Sequence, residues 1–189
     1  MLAIKHILHK MASIKAPLIT LSSLEFIKPA DLADNLKQPS TSSNVAIIDV
    51  RDNDHIGGHI KSSQWVPINQ LDARMPELLR INRDKDRVVF HCMLSQQRGP
   101  KAALAYARAR AYEVEKGRVE KVDMEVSDSK AHGNGSGKDS EWEDVKDDRD
   151  KDIFDGQVVC VLEGGFGNWQ AFYGEDETLT ENYQKDLWI

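Results

Sequence analysis

Long apolar runs are missing from this 189-residue chain. No stretch approaches the ~20 consecutive apolar residues that a membrane-spanning helix needs, so no membrane partner is predicted. Cysteine is scarce: Cys92 and Cys160 are the only two. Two thiols build neither a disulfide framework nor a cysteine-rich metal cluster, and the six histidines are scattered. No metal is therefore predicted, and a reducing compartment, cytoplasm or nucleus, fits best. A basic stripe is lacking as well. With a net charge of −6, the chain has no electrostatic footprint for nucleic acid.

Charge is unevenly spread. Residues 1–24 contain no acid but carry Lys5, Lys10 and Lys15, with Leu2, Ile4, Ile7, Leu8 and Met11 loosely amphipathic around them. Two readings stand for a leader over 1–23: a mitochondrial presequence, which would ordinarily contain the arginine absent here, or a disordered segment with Met11 as an alternative start. The acids gather instead in 113–156, where fifteen acidic and eight basic side chains leave a balance of −7 and the rest of the chain close to neutral. With Gly133, Gly135 and Gly137 at its centre, this stretch reads as a flexible, solvated insertion. Val119, Val122, Met124 and Val126 alternate with charge, compatible with a short extra hairpin, and a partner-docking segment is the sharper alternative.

Outside those regions strands and helices alternate. Leu24 to Ile27 reads as a short strand. Pro29 opens a helix with Leu32 and Leu36 on one face, and 38–44 reads as a polar loop. Val45 to Val50 is a nearly continuous apolar run, as expected for a strand covered on both faces. Gly57 and Gly58 predict a tight reversal. Arg51 and Asp54 read as a local ion pair, and His59 as a packed, hydrogen-bonded histidine. Leu71 to Ile81 has helical spacing, and 82–87 turns into a strand through Val88, Val89 and Phe90. After Pro100, Ala103, Ala107 and Ala111 share a helix face with Leu104, while Lys101, Arg108 and Arg110 read as solvated charge. Val158 to Leu162 is a buried strand, followed by Glu163-Gly-Gly-Phe166 and a helix around Trp169. The tail, 174–189, has Leu179, Tyr183, Leu187 and Trp188 near helical spacing and is expected to pack back on the domain.

One stretch carries chemistry: His91-Cys92-Met93-Leu94-Ser95-Gln96-Gln97-Arg98-Gly99-Pro100. It places a cysteine where a strand ends and an arginine where a helix begins. A thiol is a weak nucleophile until ionised, and its pKa falls to roughly 3.5–7.5 near a helix N-terminus or a fixed cation. The unpaired N–H groups of a helix start and of an inward-curled loop form an anion site. A guanidinium presents planar, bidentate donors to two oxygens of a phosphate-like group. The Ser95 hydroxyl is placed to donate to the sulfur. Cys160, mid-strand in an apolar run, reads as an inert core residue, with a resolving thiol as the alternative.

His-Cys-x-x-Ser-x-x-Arg-Gly-Pro resembles the catalytic loop of the M-phase inducer (dual-specificity) phosphatases and of the related small arsenate reductases, both of the rhodanese fold. Asp49-Val50-Arg51, Gly57-Gly-His-Ile60 and Glu163-Gly-Gly-Phe166 resemble other parts of that fold, so the resemblance covers roughly 24–112 and 157–173. It implies an α/β rhodanese-like domain over 24–173, interrupted by 113–156, with a mostly parallel five-stranded sheet flanked by helices. It implies Cys92 as nucleophile, Arg98 as oxyanion clamp, His91 as an orienting residue and Ser95 as stabiliser of the leaving thiolate. The backbone of Met93, Leu94, Ser95, Gln96, Gln97 and Arg98 becomes the substrate cradle. The seven residues from Cys92 to Arg98 match the phosphatase and reductase loops rather than the six-residue sulfurtransferase loop.

Three departures stand out. Met93, Leu94, Gln96 and Gln97 replace the acidic loop residues of the M-phase inducers, Val50 replaces their second cysteine, and the cysteine-rich zinc site of related plant enzymes has no counterpart. The resemblance implies a cysteine-dependent phosphatase acting on phosphotyrosine or phosphothreonine in proteins, without a cofactor. The alternatives are an arsenate reductase drawing on glutathione and glutaredoxin, with a small oxyanion as substrate, and a phosphoprotein-binding module of weak activity.

Overall fold

The computed structural model describes residues 18–130 and 156–188. Ile19–Arg110 together with the segment from Gly156 onward form one compact unit. Its strands are β1 (Glu25–Ile27), β2 (Val45–Asp49), β3 (His59–Ile60), β4 (Gln64–Trp65), β5 (Arg87–His91), β6 (Val158–Leu162) and β7 (Thr180–Glu181). Five of them form one sheet in the order β1-β6-β5-β2-β4, and each of its pairings is parallel. The α/β rhodanese-like architecture read from the sequence is the one observed. The apolar runs of β5 and β6 lie in the middle, where Val88, Val89, Phe90, Val161 and Leu162 are buried, because a parallel strand between two helix layers has no wet face.

Helix α1 (Pro29–Lys37) starts on a proline, whose missing N–H is no loss in the first turn, and buries Leu32 and Ala33. The predicted polar loop at 38–44 contains a four-residue helix, α2 (Pro39–Ser42). Pro39 presets its first φ, and the Thr41 hydroxyl ties it to the Asn35 carbonyl at 2.7 Å. Helix α3 (Leu71–Ile81) buries Leu71 and Leu78. Helix α4 (Arg98–Lys130) buries Ala102, Ala103, Tyr106 and Ala107. Arg110, read as solvated charge, is instead buried and donates to the Arg83 carbonyl at 3.1 Å. Arg108 stays exposed while donating to the Ile19 carbonyl at 2.9 Å.

Three further expectations are corrected. Ile19 is already buried and Leu21–Ser23 form a 3-10 turn, so ordered packing begins before the predicted leader boundary at 23; the rest of the leader, 1–17, lies outside the described residues. The hairpin considered for Val119 to Val126 is helix, because α4 runs on to Lys130. Propagating an existing helix through Glu- and Lys-rich sequence needs no new nucleus. Residues 131–155, the remainder of the predicted insertion, lie outside the described residues. The tail is not a helix: β7 pairs antiparallel with β3, Asn182 turns the backbone left-handed at φ 55°, and a 3-10 turn follows at Lys185–Leu187. It does pack back, with Leu179 buried and the Trp188 indole donating to the Gly57 carbonyl at 2.9 Å.

Candidate active site

Three neighbouring strands end at the same place. β2 leads into Asp49-Val50-Arg51, β5 into His91-Cys92, and β6 into Glu163-Gly-Gly-Phe166. In open parallel sheets ligands bind beyond such carboxyl ends. Asp49 lies directly beside His91 in the β2–β5 register, and the Val50 N–H donates to the His91 carbonyl at 2.8 Å.

The floor is ionic and dry. Asp49 and Arg51 are fully buried. Arg51 donates from Nε to both Asp49 oxygens at 3.0 and 2.9 Å, from Nη2 to Oδ2 at 2.6 Å, and from Nη2 to the Gly58 carbonyl at 2.8 Å. Burial alone would raise the Asp49 carboxyl, but the neighbouring His91 and the Arg51 guanidinium bonded to both its oxygens reverse that and hold it below the ordinary carboxylate range. The Phe166 ring lies 4.1 Å from Arg51 Cζ, a cation–π contact that joins the third strand end to the first. The expected Arg51–Asp54 ion pair is not formed. Arg51 turns inward to Asp49 and meets only the Asp54 backbone, Nη1 to carbonyl at 3.5 Å, while the Asp54 carboxylate faces Arg98.

His91 is fully buried, its Nδ1 3.4 Å from the Cys92 carbonyl and its Nε2 3.8 Å from Asp49 Oδ2. Burial holds its imidazole below the usual range, leaving the ring neutral at pH 7.

The loop itself runs from Cys92 to Arg98, the residue at which the next helix starts. Cys92 is buried, and the Ser95 backbone N–H donates to its sulfur at 3.2 Å. Ser95 adopts φ 51°, a left-handed conformation that costs a side-chain-bearing residue energy. That turn is what aims its N–H at the sulfur. The predicted hydroxyl-to-sulfur bond is not made: Ser95 Oγ is buried without a hydrogen-bond partner among the described residues. The N–H groups of Met93, Leu94, Gln96 and Gln97 likewise have no protein acceptor among the described residues, which leaves them for an anion. Met93 is half-buried, and Leu94, Gln96 and Gln97 are exposed at the loop's outer face.

The helix after the loop begins at Arg98 rather than beyond Pro100. Pro100 falls in its first turn, where the absent N–H would have had no helical partner. Arg98 Nη1 donates to Asp54 Oδ1 at 2.7 Å and to Asp52 Oδ2 at 3.3 Å, and Nη2 donates to Asp54 Oδ2. The Arg98 guanidinium pulls the Asp54 carboxyl from the usual 3.8 down to about 2, and Asp54 in turn raises Arg98.

A second turn clamps the loop from the other side. Helix α5 (Gly165–Tyr173) begins under it, the Phe166 N–H donating to the Cys92 carbonyl at 2.9 Å and the Gly167 N–H to the Met93 carbonyl at 2.8 Å. Gly165 has φ 59°, and a Cβ there would stand 2.4 Å from the Cys92 carbonyl oxygen. No residue but glycine fits. Gly165, Phe166, Gly167 and Asp54 were not among the residues the sequence singled out for the site. Gly-Gly-Phe carried a signal for the fold, and Asp54 was assigned to the wrong arginine.

His59 is the packed histidine expected, its Nε2 3.1 Å from Glu181 Oε2. Cys160 is fully buried in β6, where burial pushes its thiol up to about 11, as suits an inert core residue. The assembled groups are a buried sulfur with one N–H donating to it, loop N–H donors without an acceptor among the described residues, and a guanidinium at a helix start. Chemically they can bind an oxyanion and attack its central atom.

Comparison with known proteins places the chain among relatives of this fold. The rhodanese-like domain family matches residues 29–121. The CDC25-like phosphatase YCH1 of Saccharomyces cerevisiae is 28% identical over 184 residues, covering 89% of this chain and 97% of that protein. Arsenate reductase 2.1 of Oryza sativa subsp. japonica is 41% identical over 86 residues, 45% of this chain and 52% of that protein. The solved structure of Ygr203w, described as a yeast protein tyrosine phosphatase of the Rhodanese family, superimposes with a TM-score of 0.61 at 26% identity, covering 88% of this chain and 98% of that one. The protein thus carries a rhodanese-like domain and stands among relatives named as Cdc25-like phosphatases and arsenate reductases.

Proposed function

We propose that the protein is a cysteine-dependent phosphatase acting on phosphotyrosine or phosphothreonine in proteins. The observation that carries this reading is the seven-residue loop from Cys92 to Arg98, with the Ser95 N–H on the sulfur at 3.2 Å and the helix starting at the arginine. Cys92 Sγ attacks phosphorus in line, the ester oxygen leaves with the bonding pair and takes up a proton, and water then cleaves the S–P bond to release phosphate. The loop N–H groups and Arg98 hold the three equatorial oxygens as charge builds on them. His91 holds the loop's first carbonyl, and the Ser95 hydroxyl stabilises the sulfur as it leaves. Met93, Leu94, Gln96 and Gln97 offer no proton to the leaving group, and Asp54 is ionised down to about pH 2. Phosphotyrosine, whose phenolate leaves more easily than an alkoxide, is therefore the better substrate.

The test is turnover of an aryl phosphate by wild type and by Cys92→Ser. Loss of turnover in the variant, with a phosphocysteine trapped in the wild type, supports the proposal. Equal rates in the two proteins would sink it.

Arsenate reduction is the second reading, favoured by the acid-free loop and by the 41% identity to a plant protein named arsenate reductase. Cys92 would add to arsenate with loss of water, and two glutathione-level thiols, with glutaredoxin, would be oxidised to a disulfide as arsenic falls from the +5 to the +3 state. Arsenate-dependent oxidation of glutathione in the presence of glutaredoxin checks it. Its absence removes this reading and leaves the first untouched.

A further inference from the structure

We infer that Asp54 is a positioning residue for the loop: it fixes the roll of the Arg98 guanidinium so that one edge is held ready for the oxyanion. The inference rests on the oxyanion-binding reading proposed above.

A guanidinium carries five N–H donors in a rigid plane. Asp54 takes the fork between the two terminal nitrogens, one oxygen on Nη1 at 2.7 Å and the other on Nη2. Asp52 takes the second hydrogen of Nη1 at 3.3 Å. Three donors are thereby committed, and the two that remain, on Nε and Nη2, lie parallel along a single edge. That edge has no acceptor among the described residues. Its two N–H bonds have the spacing that two oxygens of a tetrahedral anion accept side by side. A carboxylate competing with substrate would sit across the donors the substrate needs. Asp54 sits across the others.

The fold also explains why the arginine needs a brace. Arg98 is the first residue of its helix and its side chain is about a third exposed, and the bonds that hold its guanidinium among the described residues are those to Asp54 and Asp52. Its partners come from a different part of the chain, the connection after β2, which is anchored by the Arg51 contacts to Asp49 and Gly58. The brace is therefore held by the buried floor of the site and not by the loop it serves.

The experiment measures tungstate affinity by calorimetry and kcat and KM on an aryl phosphate for wild type, Asp54→Asn, Arg98→Lys and the double variant. Misplacing a bidentate donor by about an ångström costs on the order of tenfold or more. Asp54→Asn is expected to weaken tungstate binding by about that factor and to lower kcat/KM with it. In the Arg98→Lys background, where there is no fork left to orient, Asp54→Asn is expected to change neither quantity. Unchanged or tighter tungstate binding in Asp54→Asn overturns the inference, and so does a loss of the same size in both backgrounds, which would mark a merely structural role. Should Asp54→Asn not fold, Asp52→Asn takes its place, with an expected loss of about threefold on tungstate that Arg98→Lys again abolishes; no loss overturns. A wild type that neither binds tungstate nor turns over aryl phosphate sinks the function and the inference together. One that does both, with Asp54→Asn identical to it, sinks the inference alone.

Discussion

Ser95 combines two costs in one residue: a left-handed backbone at φ 51° and a buried hydroxyl without a partner among the described residues. Each is unfavourable by about 1–3 kcal/mol in an ordinary setting. Under the mechanism proposed above, this hydroxyl, three residues from a buried sulfur, meets its partner only during reaction. Ser95→Ala is therefore expected to fold with a Tm equal to or above that of wild type, because it deletes an unsatisfied polar group. Its phosphocysteine hydrolysis should slow by roughly 10²-fold, the size of effect seen when one stabilising donor is lost, so a burst of phenol release should appear. A lower Tm with no burst would contradict this account. At Asp54 the sign of the pH dependence follows from the direction of its shift. The folded carboxyl titrates below its unfolded value, from 3.8 to about 2, so the ion pair stabilises fully above about pH 4 and that stability is lost as pH falls toward 2. The stability gap between wild type and Asp54→Asn should be constant above about pH 4, close on acidification, and shrink in high salt because the pair is about a third exposed. A gap that widens in acid would reverse the assignment.

At the level of elements, the loop is a bridge held at both ends. On one side it continues β5 into α4; on the other, the first N–H groups of α5 grip the Cys92 and Met93 carbonyls. Gly165 makes that grip close enough to work. Gly165→Ala meets two penalties, a positive φ and a Cβ 2.4 Å from the Cys92 oxygen, and should destabilise by roughly 2 kcal/mol or more. It should also lower kcat/KM for an aryl phosphate, because the oxygen that must move belongs to the peptide of Cys92, the proposed nucleophile. Thermal unfolding and steady-state kinetics check the two halves separately. Full activity at wild-type Tm would mean that the turn is not the clamp described.

On the scale of the molecule, the tail reaches the site through a chain of contacts. Trp188 packs edge-on against Phe166, with ring centroids 5.6 Å apart, and Phe166 covers Arg51. The indole also donates to Gly57, and β7 pairs with β3. Trp188→Ala is expected to cost about 2 kcal/mol, less than a fully buried tryptophan because the ring is only partly covered. Amide exchange at 57–60 should quicken in the variant. Unchanged exchange there would show that the tail covers the domain without supporting it.

Local chemistry made much of this legible. The continuous apolar runs of β2, β5 and β6 can only be strands covered on both faces, and a proline at the head of α1 or glycines at 57 and 58 act through their own φ, whatever surrounds them. The cysteine and arginine seven residues apart inclusive, between a strand and a helix, specified the candidate site for the same reason: loop length is a property of the chain. Tertiary structure alone decided which partners meet. Whether Asp54 faces Arg51 or Arg98, whether Ser95 offers sulfur its hydroxyl or its N–H, and whether the tail coils or pairs with β3 depend on groups up to 131 residues away in sequence. Ion pairs and strand pairing are set by distances through space, which three strand ends brought side by side create and no stretch of sequence contains.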